Sequence, residues 1–253
     1  MARIALRFPP GLLVRVQLAC RQARACIKNR TFSAATADFT DPVLGLTPDQ
    51  AQFHDLAKAF ARDELAPHVA EWDDKHVFPE DALRKAASLG FGGLYVDPAF
   101  GGIGLSRLDG SIIIEALASA DTSTTAYLTI HNMVASMIGS YATDDVKRRL
   151  LTPLCSMQLF ASYCLTEPNA GSDAAALATR AVSDGSDYII NGSKAFISGG
   201  GRSDVYAVMV RTGGPGASGI SCVLVERGTP GLTFGKQERK LGWNTQPTSA
   251  VFL

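Results

Sequence analysis

Ala161-Ser162-Tyr163-Cys164-Leu165-Thr166-Glu167-Pro168-Asn169-Ala170-Gly171-Ser172-Asp173 opens as a strand and closes as a turn. Tyr163, Leu165 and the β-branched Thr166 suit an extended, half-buried segment. Pro168 halts it, because proline cannot donate to a sheet ladder. Asn169 tolerates positive φ and Gly171 takes it freely. Ser172 and Asp173 add a hydroxyl and a carboxylate that can bond nearby backbone N–H groups. Two readings fit the residues alone. One is a turn that presents N–H groups to an anion such as a phosphate. The other is a plain β-turn leading into an exposed loop.

The chain changes texture around this stretch. Before it lie helical patterns. Thr47 caps, Pro48 takes the first helical position, and apolar residues recur at Phe53, Leu56, Ala57, Phe60, Ala61 and Leu65 until Pro67 kinks or ends the run. Phe78-Pro79-Glu80 starts a second helix that Gly90 ends. Ser106–Ala120 and Thr122–Ser140 are two more, the latter apolar nearly all round and therefore central. Asp144–Leu151 is a short helix followed by Pro153. The glycines of Gly101-Gly102-Ile103-Gly104 do not follow a βα unit, which excludes a dinucleotide fingerprint and leaves a tight structural loop. His131 lies inside the central helix with no nucleophile beside it, the setting of a satisfied core histidine.

After Phe160 short alternating segments take over: Ala174–Val182, Tyr188–Gly192, Lys194–Ser198, Asp204–Arg211, Ile220–Val225 and Leu232–Lys236. Gly- and Pro-rich turns separate them, the pattern of an antiparallel β-domain. Asn191-Gly192 between apolar runs signals a hairpin. The order predicts an α+β chain. An all-α domain spans 44–158 and an antiparallel, barrel-like β-domain spans 159–253. Ala250-Val251-Phe252-Leu253 has the pattern of a strand interior, so the sequence reads as incomplete.

The 253 residues carry 24 Lys and Arg against 24 Asp and Glu. That balance gives no electrostatic footprint for nucleic acid. No apolar run reaches the length of a transmembrane helix. The leader differs from the body: Arg3, Arg7, Arg15, Arg21, Arg24, Lys28 and Arg30 precede the first acidic residue, Asp38, with apolar residues between them. A basic, acid-free, amphipathic leader reads as a mitochondrial transit peptide over 1–32, with cleavage after Phe32; a disordered basic tail is the other reading. Of five cysteines, Cys20 and Cys26 fall in the leader. Cys155, Cys164 and Cys222 show no CxxC spacing, which speaks against a disulfide framework or a zinc site and suits a reducing compartment. No metal site is expected.

The 161–173 stretch, Tyr188-Ile189-Ile190-Asn191-Gly192-Ser193-Lys194-Ala195-Phe196-Ile197-Ser198, the glycine loop at 101–106 and Lys240-Leu241-Gly242-Trp243-Asn244-Thr245-Gln246-Pro247-Thr248 together resemble the acyl-CoA dehydrogenase family from about Leu44 onward. The Trp-Asn-x-Gln-Pro-Thr wording is similar to the branch that handles short branched acyl-CoA substrates in valine breakdown. The resemblance implies FAD as cofactor and acyl-CoA as substrate. It also implies electron-transfer flavoprotein as partner, a homotetramer when full-length, and the mitochondrial matrix as location. It implies that Tyr163, Cys164, Leu165, Thr166, Gly171, Ser172, Phe196, Ile197 and Ser198 meet the flavin and that Ser172 also meets the substrate. Ser198 stands where family members place a hydroxyl near flavin N5. The family's catalytic base lies in a C-terminal four-helix domain, missing here, so no residue of this chain is assigned as catalytic. Glu167 is expected to be structural, paired with backbone or a basic group. On this reading the 253-residue chain alone is expected to be inactive. Another short- or branched-chain acyl-CoA dehydrogenase, an acyl-CoA oxidase, and a truncated non-catalytic product are the competing readings.

Overall fold

A computed structural model of the chain describes residues 45–185 and 187–253, together with the backbone of Leu13–Val14. The transit-peptide reading of 1–32 lies outside the described residues apart from that dipeptide. Leu13–Val14 forms β1.

The helical half follows its local signals closely. Helix α1 (Pro48–Phe60) starts with a reciprocal capping box between Thr47 and Gln50. The run continues as a wider π-type turn at Ala61–Leu65 and breaks at Pro67 before α2 (Val69–Lys75). Helix α3 (Glu80–Ser88) is followed by Gly90 at φ 88°. Helices α4 (Arg107–Ala118) and α5 (Thr122–Tyr141) are capped by Ser106 and Asp121. Helix α6 spans Asp144–Cys155 and carries Pro153 inside it, longer than the sequence reading allowed. Only two helical residues follow that proline, so the single bond its missing N–H forgoes lies in the last turn and little helix remains to be disrupted. In the glycine loop, a Cβ on Gly102 would lie 2.1 Å from the Val96 carbonyl oxygen, which accounts for that glycine by packing alone.

Nine strands make two sheets among the described residues. Strands β2 (Ala161–Cys164), β3 (Arg180–Asp184), β4 (Asp187–Asn191), β6 (Val205–Arg211) and β7 (Ile220–Glu226) join β1 in the larger sheet. Strands β5 (Ser193–Ser198), β8 (Thr233–Gln237) and β9 (Thr248–Phe252) make the smaller one, with β9 central. Most ladders are antiparallel as expected. The exceptions both involve β6, which takes β2 alongside in parallel over four residue pairs and meets β3 in parallel at Arg180 and Arg211. Residues 174–176 form a 3-10 turn rather than strand.

Alternation along β6 and β7 explains the layering. Val205, Ala207, Cys222 and Leu224 face the helices, packing with Val134, Ile138, Leu151 and Leu154. Tyr206, Val208, Val223 and Val225 face the smaller sheet, packing with Ile197, Leu232 and Val251. Successive side chains of a strand point to opposite sides, so a strand buried on both faces reads as continuously apolar. The molecule is thus a helical layer, a larger sheet and a smaller sheet.

Asn191-Gly192 does not close a hairpin. Strand β4 pairs with β3, Asp187 opposite Asp184, while β5 leaves for the other sheet and pairs with β9. Gly192 sits at that crossover and exchanges backbone hydrogen bonds with Leu253 at 3.2 and 3.0 Å. A Cβ there would lie 2.7 Å from the Cα of Thr179. The glycine serves a close backbone approach, not a turn.

Candidate functional site

Strand β2 ends where the two sheets and the helical layer meet, and the next residue types decide what is exposed there. Glu167 begins a tight turn whose N–H and carbonyl pair with those of Ala170 at 3.1 Å each. Its carboxylate turns inward and accepts from Lys194 Nζ at 2.8 Å and from the N–H groups of Ala178 at 2.7 Å and Thr179 at 2.9 Å. Lys194 is 0% exposed and also donates to the Leu165 carbonyl at 3.1 Å. Burial pushes the Glu167 carboxyl up, but the donors around it outweigh burial and hold it at about 2. Burial lowers the Lys194 pKa against the pull of Glu167. The pair ties the 167–170 turn to β5, and a carboxylate held at so low a pKa is a poor base for proton abstraction.

Strand β5 carries an irregularity between Lys194 and Ile197, with Phe196 at φ 56°. Strict alternation would send Lys194 to the same face as Phe196 and Ser198. The extra residue lets Lys194 and Ile197 both point into the core and throws Phe196 outward, 68% exposed. A non-glycine residue at positive φ is strained, and such strain clusters at binding sites. Thr166 and Ala195 join β2 to β5 through a 2.8 Å backbone bond, which brings Leu165, Thr166 and Ser198, all half-buried, to the same neighbourhood as Phe196. Tyr163 packs at the margin of the helix-side core. Cys164 and Ile197 belong to the core between the sheets, so only their backbone is available to a ligand. Burial pushes the Cys164 thiol up, away from nucleophilic use.

Residues 171–173 differ from their local reading. Asn169 and Gly171 are not among the positive-φ residues. Ser172 and Asp173 do not bond neighbouring backbone with their side chains. Gly171, Ser172 and Asp173 are exposed, and their three N–H groups have no partner among the described residues. A Cβ on Gly171 would meet nothing within 4 Å. Neither φ nor packing within the chain requires this glycine, whereas an approaching ligand would. An exposed aromatic ring, hydroxyls at Thr166 and Ser198, and a run of free N–H donors suit a flat aromatic cofactor carrying a diphosphate.

Beneath Ser198 lies a buried hydroxyl cluster that sequence reasoning missed. Ser162 Oγ meets the Ser198 carbonyl at 2.5 Å and Ser203 Oγ at 2.8 Å. Tyr127 Oη lies 2.9 Å from Ser203 Oγ. Gly199, at φ 78°, covers the cluster; a Cβ there would fall 2.4 Å from Ser203 Oγ and 2.5 Å from Ser162 Oγ. Gly199→Ala is expected to cost about 1–3 kcal/mol from overpacking, read as a lower urea midpoint at unchanged m-value. A midpoint equal to the parent's would show that the turn relaxes freely.

Loop 240–248 closes the remaining side. Lys240 Nζ donates to the carbonyls of Trp243 at 2.6 Å and Gln246 at 2.7 Å, and to Thr248 Oγ1 at 2.8 Å. Asn244 bonds Asp73 through its N–H and its amide, at 3.0 and 3.1 Å. Thr245 bonds Ser123 at the start of α5. Glu115 is exposed on α4 and joins none of these groups. No group of metal-ligating side chains occurs among the described residues. No helix among them is long and apolar enough to cross a membrane.

Known proteins share this arrangement. The family model for the acyl-CoA dehydrogenase N-terminal domain matches residues 47–158, and that for the middle domain matches residues 162–253. The mitochondrial isobutyryl-CoA dehydrogenase of Bos taurus is 62% identical over 213 residues, 84% of this chain and 51% of the relative. Butyryl-CoA dehydrogenase from Megasphaera elsdenii superposes with a TM-score of 0.74 at 35% identity, covering 82% of this chain and 56% of that one. The FAD complex of PigA superposes with a TM-score of 0.79 at 30% identity, covering 82% and 55%. The chain spans about half the length of these curated relatives. With both adjacent domain models matched in order, on a helical layer followed by paired sheets, the chain belongs to the acyl-CoA dehydrogenase family of enzymes.

Proposed function

We propose that the whole protein is an FAD-dependent dehydrogenase of short branched acyl-CoA thioesters. It converts isobutyryl-CoA to methacrylyl-CoA in valine breakdown and passes electrons to electron-transfer flavoprotein. On the same reading it works as a homotetramer in the mitochondrial matrix, and residues 44–158 and 159–253 are its first two domains. The 62% identity to a relative named mitochondrial isobutyryl-CoA dehydrogenase supports the substrate and the compartment. The observation that carries the cofactor reading is Phe196, an aromatic ring held outward at positive φ beside Thr166 and Ser198.

FAD, when bound, supplies the two-electron acceptor for the β-hydrogen. This chain's residues hold it: Tyr163, Leu165 and Thr166 from β2 with the backbone of Cys164, Phe196 and Ser198 from β5 with the backbone of Ile197, and the donors at Gly171 and Ser172 for its diphosphate. Ser172 also serves the passing CoA arm. Hydroxyl and N–H donors aimed at a ring that gains negative charge favour its reduced form. No residue here is assigned as the base that removes the α-proton. Glu167, in the turn motif, accepts from Lys194 and two N–H groups and is held at a low pKa.

Anaerobic mixing with isobutyryl-CoA tests the reading. A form extended by the following domain is expected to bind FAD and lose the flavin's visible band on mixing. The 253-residue chain is expected to leave the band intact, since a missing general base alone costs about 10²–10⁴-fold. Normal turnover by the short chain would overturn the assignment of the base elsewhere. An extended form whose bound flavin no acyl-CoA reduces would overturn the dehydrogenase reading.

A further inference from the structure

We propose that Tyr127, Ser203 and Ser162 form a buried hydroxyl relay that fixes the Ser198 peptide, making Ser162 and Tyr127 positioning residues for the flavin-facing edge of β5. The proposal rests on the flavin reading above only for what Ser198 is positioned against; the relay itself is drawn from geometry.

Proton counting fixes its last bond. Ser162 Oγ is 2.5 Å from the Ser198 carbonyl oxygen, and two oxygens so close require a proton between them. A carbonyl has none to give, so Ser162 donates. The same Ser162 hydroxyl lies 2.8 Å from Ser203 Oγ, a second acceptor within its reach. Tyr127 Oη lies 2.9 Å from Ser203 Oγ, where either hydroxyl can donate, and it donates to the Ala161 carbonyl at 3.2 Å. Burial raises the Tyr127 pKa, which keeps that phenol protonated. Ser162, Ser203 and Tyr127 are each 0% exposed, so water does not compete for these bonds.

The relay also crosses layers. Tyr127 belongs to α5, Ser162 to β2 and Ser198 to β5, so the helical layer sets the peptide plane at Ser198 through two serines. Gly199 completes the seat, because a side chain there would displace both serine hydroxyls. Chains of hydrogen bonds polarise one another, and a carbonyl that accepts strongly makes its own peptide more rigidly oriented. Ser198 lies two residues beyond Phe196, whose positive φ marks the bulge in β5.

Two measurements test this. The first is the backbone carbonyl ¹³C resonance of Ser198 in the 253-residue chain. The second is the flavin midpoint potential of the extended holoenzyme. Ser162→Ala is expected to move the Ser198 carbonyl upfield and to lower the potential in the same direction as Ser198→Ala. Tyr127→Phe is expected to move both the same way by less, and it keeps the test alive if Ser162→Ala fails to fold. An unmoved Ser198 carbonyl in a folded Ser162→Ala or Tyr127→Phe chain overturns the relay. If the carbonyl moves while Ser198→Ala leaves the potential unchanged, the relay stands and the flavin role of Ser198 fails.

Discussion

Glu167→Ala is expected to lower the unfolding free energy at neutral pH by about 3–5 kcal/mol, the usual cost of breaking a buried ion pair from one side. The large figure follows from what stays behind. Lys194 would keep a full charge at 0% exposure with only the Leu165 carbonyl as partner, and the N–H groups of Ala178 and Thr179 would lose their acceptor. A buried cation without its anion must lose its proton or draw in water, and either disrupts the 167–170 turn. The double variant Glu167→Leu with Lys194→Met should recover part of the loss, because replacing both partners by apolar groups removes both desolvation penalties. The pair also predicts acid behaviour. The Glu167 pKa is held near 2 against an ordinary 4.5, so its contribution is full above pH 4.5 and is lost as pH falls toward 2. Urea unfolding of the single and double variants measures both effects. A single variant within about 0.5 kcal/mol of the parent, the range of ordinary surface changes, would show that the pair is not structural.

The same pair shows what sequence can and cannot reveal. Glu167 stood in the turn motif, and its structural part was expected from its place in the family motif. Lys194 was not, because a lysine in an alternating strand reads as solvent-facing, and only a carboxylate 27 residues earlier makes its burial tolerable. The bulge that turns Lys194 inward is set by pairing between β5 and β9, a contact over fifty residues that no local pattern encodes. Helix starts were legible for the opposite reason: Thr47 and Asp121 act on N–H groups two or three residues away. Asn191-Gly192 carried a local hairpin signal that the tertiary structure overrode, since β4 found β3 and β5 found β9. The parallel seat of β2 on β6 was hidden likewise, although it sets where the 161–173 turn emerges. In the candidate site, Tyr163, Thr166, Gly171, Ser172, Phe196 and Ser198 came from motif likeness. Tyr127 and Ser203 lay outside both motifs and become visible only when three layers meet.

His131 provides a pH dependence of similar size. Its Nε2 bonds the Leu154 carbonyl at 2.9 Å, and its Nδ1 accepts the Ala161 N–H at 3.2 Å, so the neutral ring joins the end of α6 to the start of β2. Burial lowers its pKa from 6.5 to about 4, against the opposing pull of the Leu154 carbonyl. Protonation would set an Nδ1 proton against the Ala161 N–H, two donors with no acceptor between them. The sign follows: the unfolded chain takes up a proton near pH 6.5, while the folded chain resists until about pH 4. The stabilisation is full above pH 6.5 and is lost as pH falls through that window, at up to about 1.4 kcal/mol per pH unit and about 3 kcal/mol in all. Between pH 7 and pH 5, above the range of Glu167, the parent should lose about 2 kcal/mol from this group alone. His131→Gln offers an amide donor and acceptor without a proton to gain. It should be less stable than the parent at pH 7, since the longer side chain fits the cavity less well. Its loss between pH 7 and pH 5 should be smaller by about that same 2 kcal/mol. Parallel pH profiles for the two proteins would show that His131 titrates alike in the folded and unfolded chains, and that its bond to Ala161 does not hold the ring neutral.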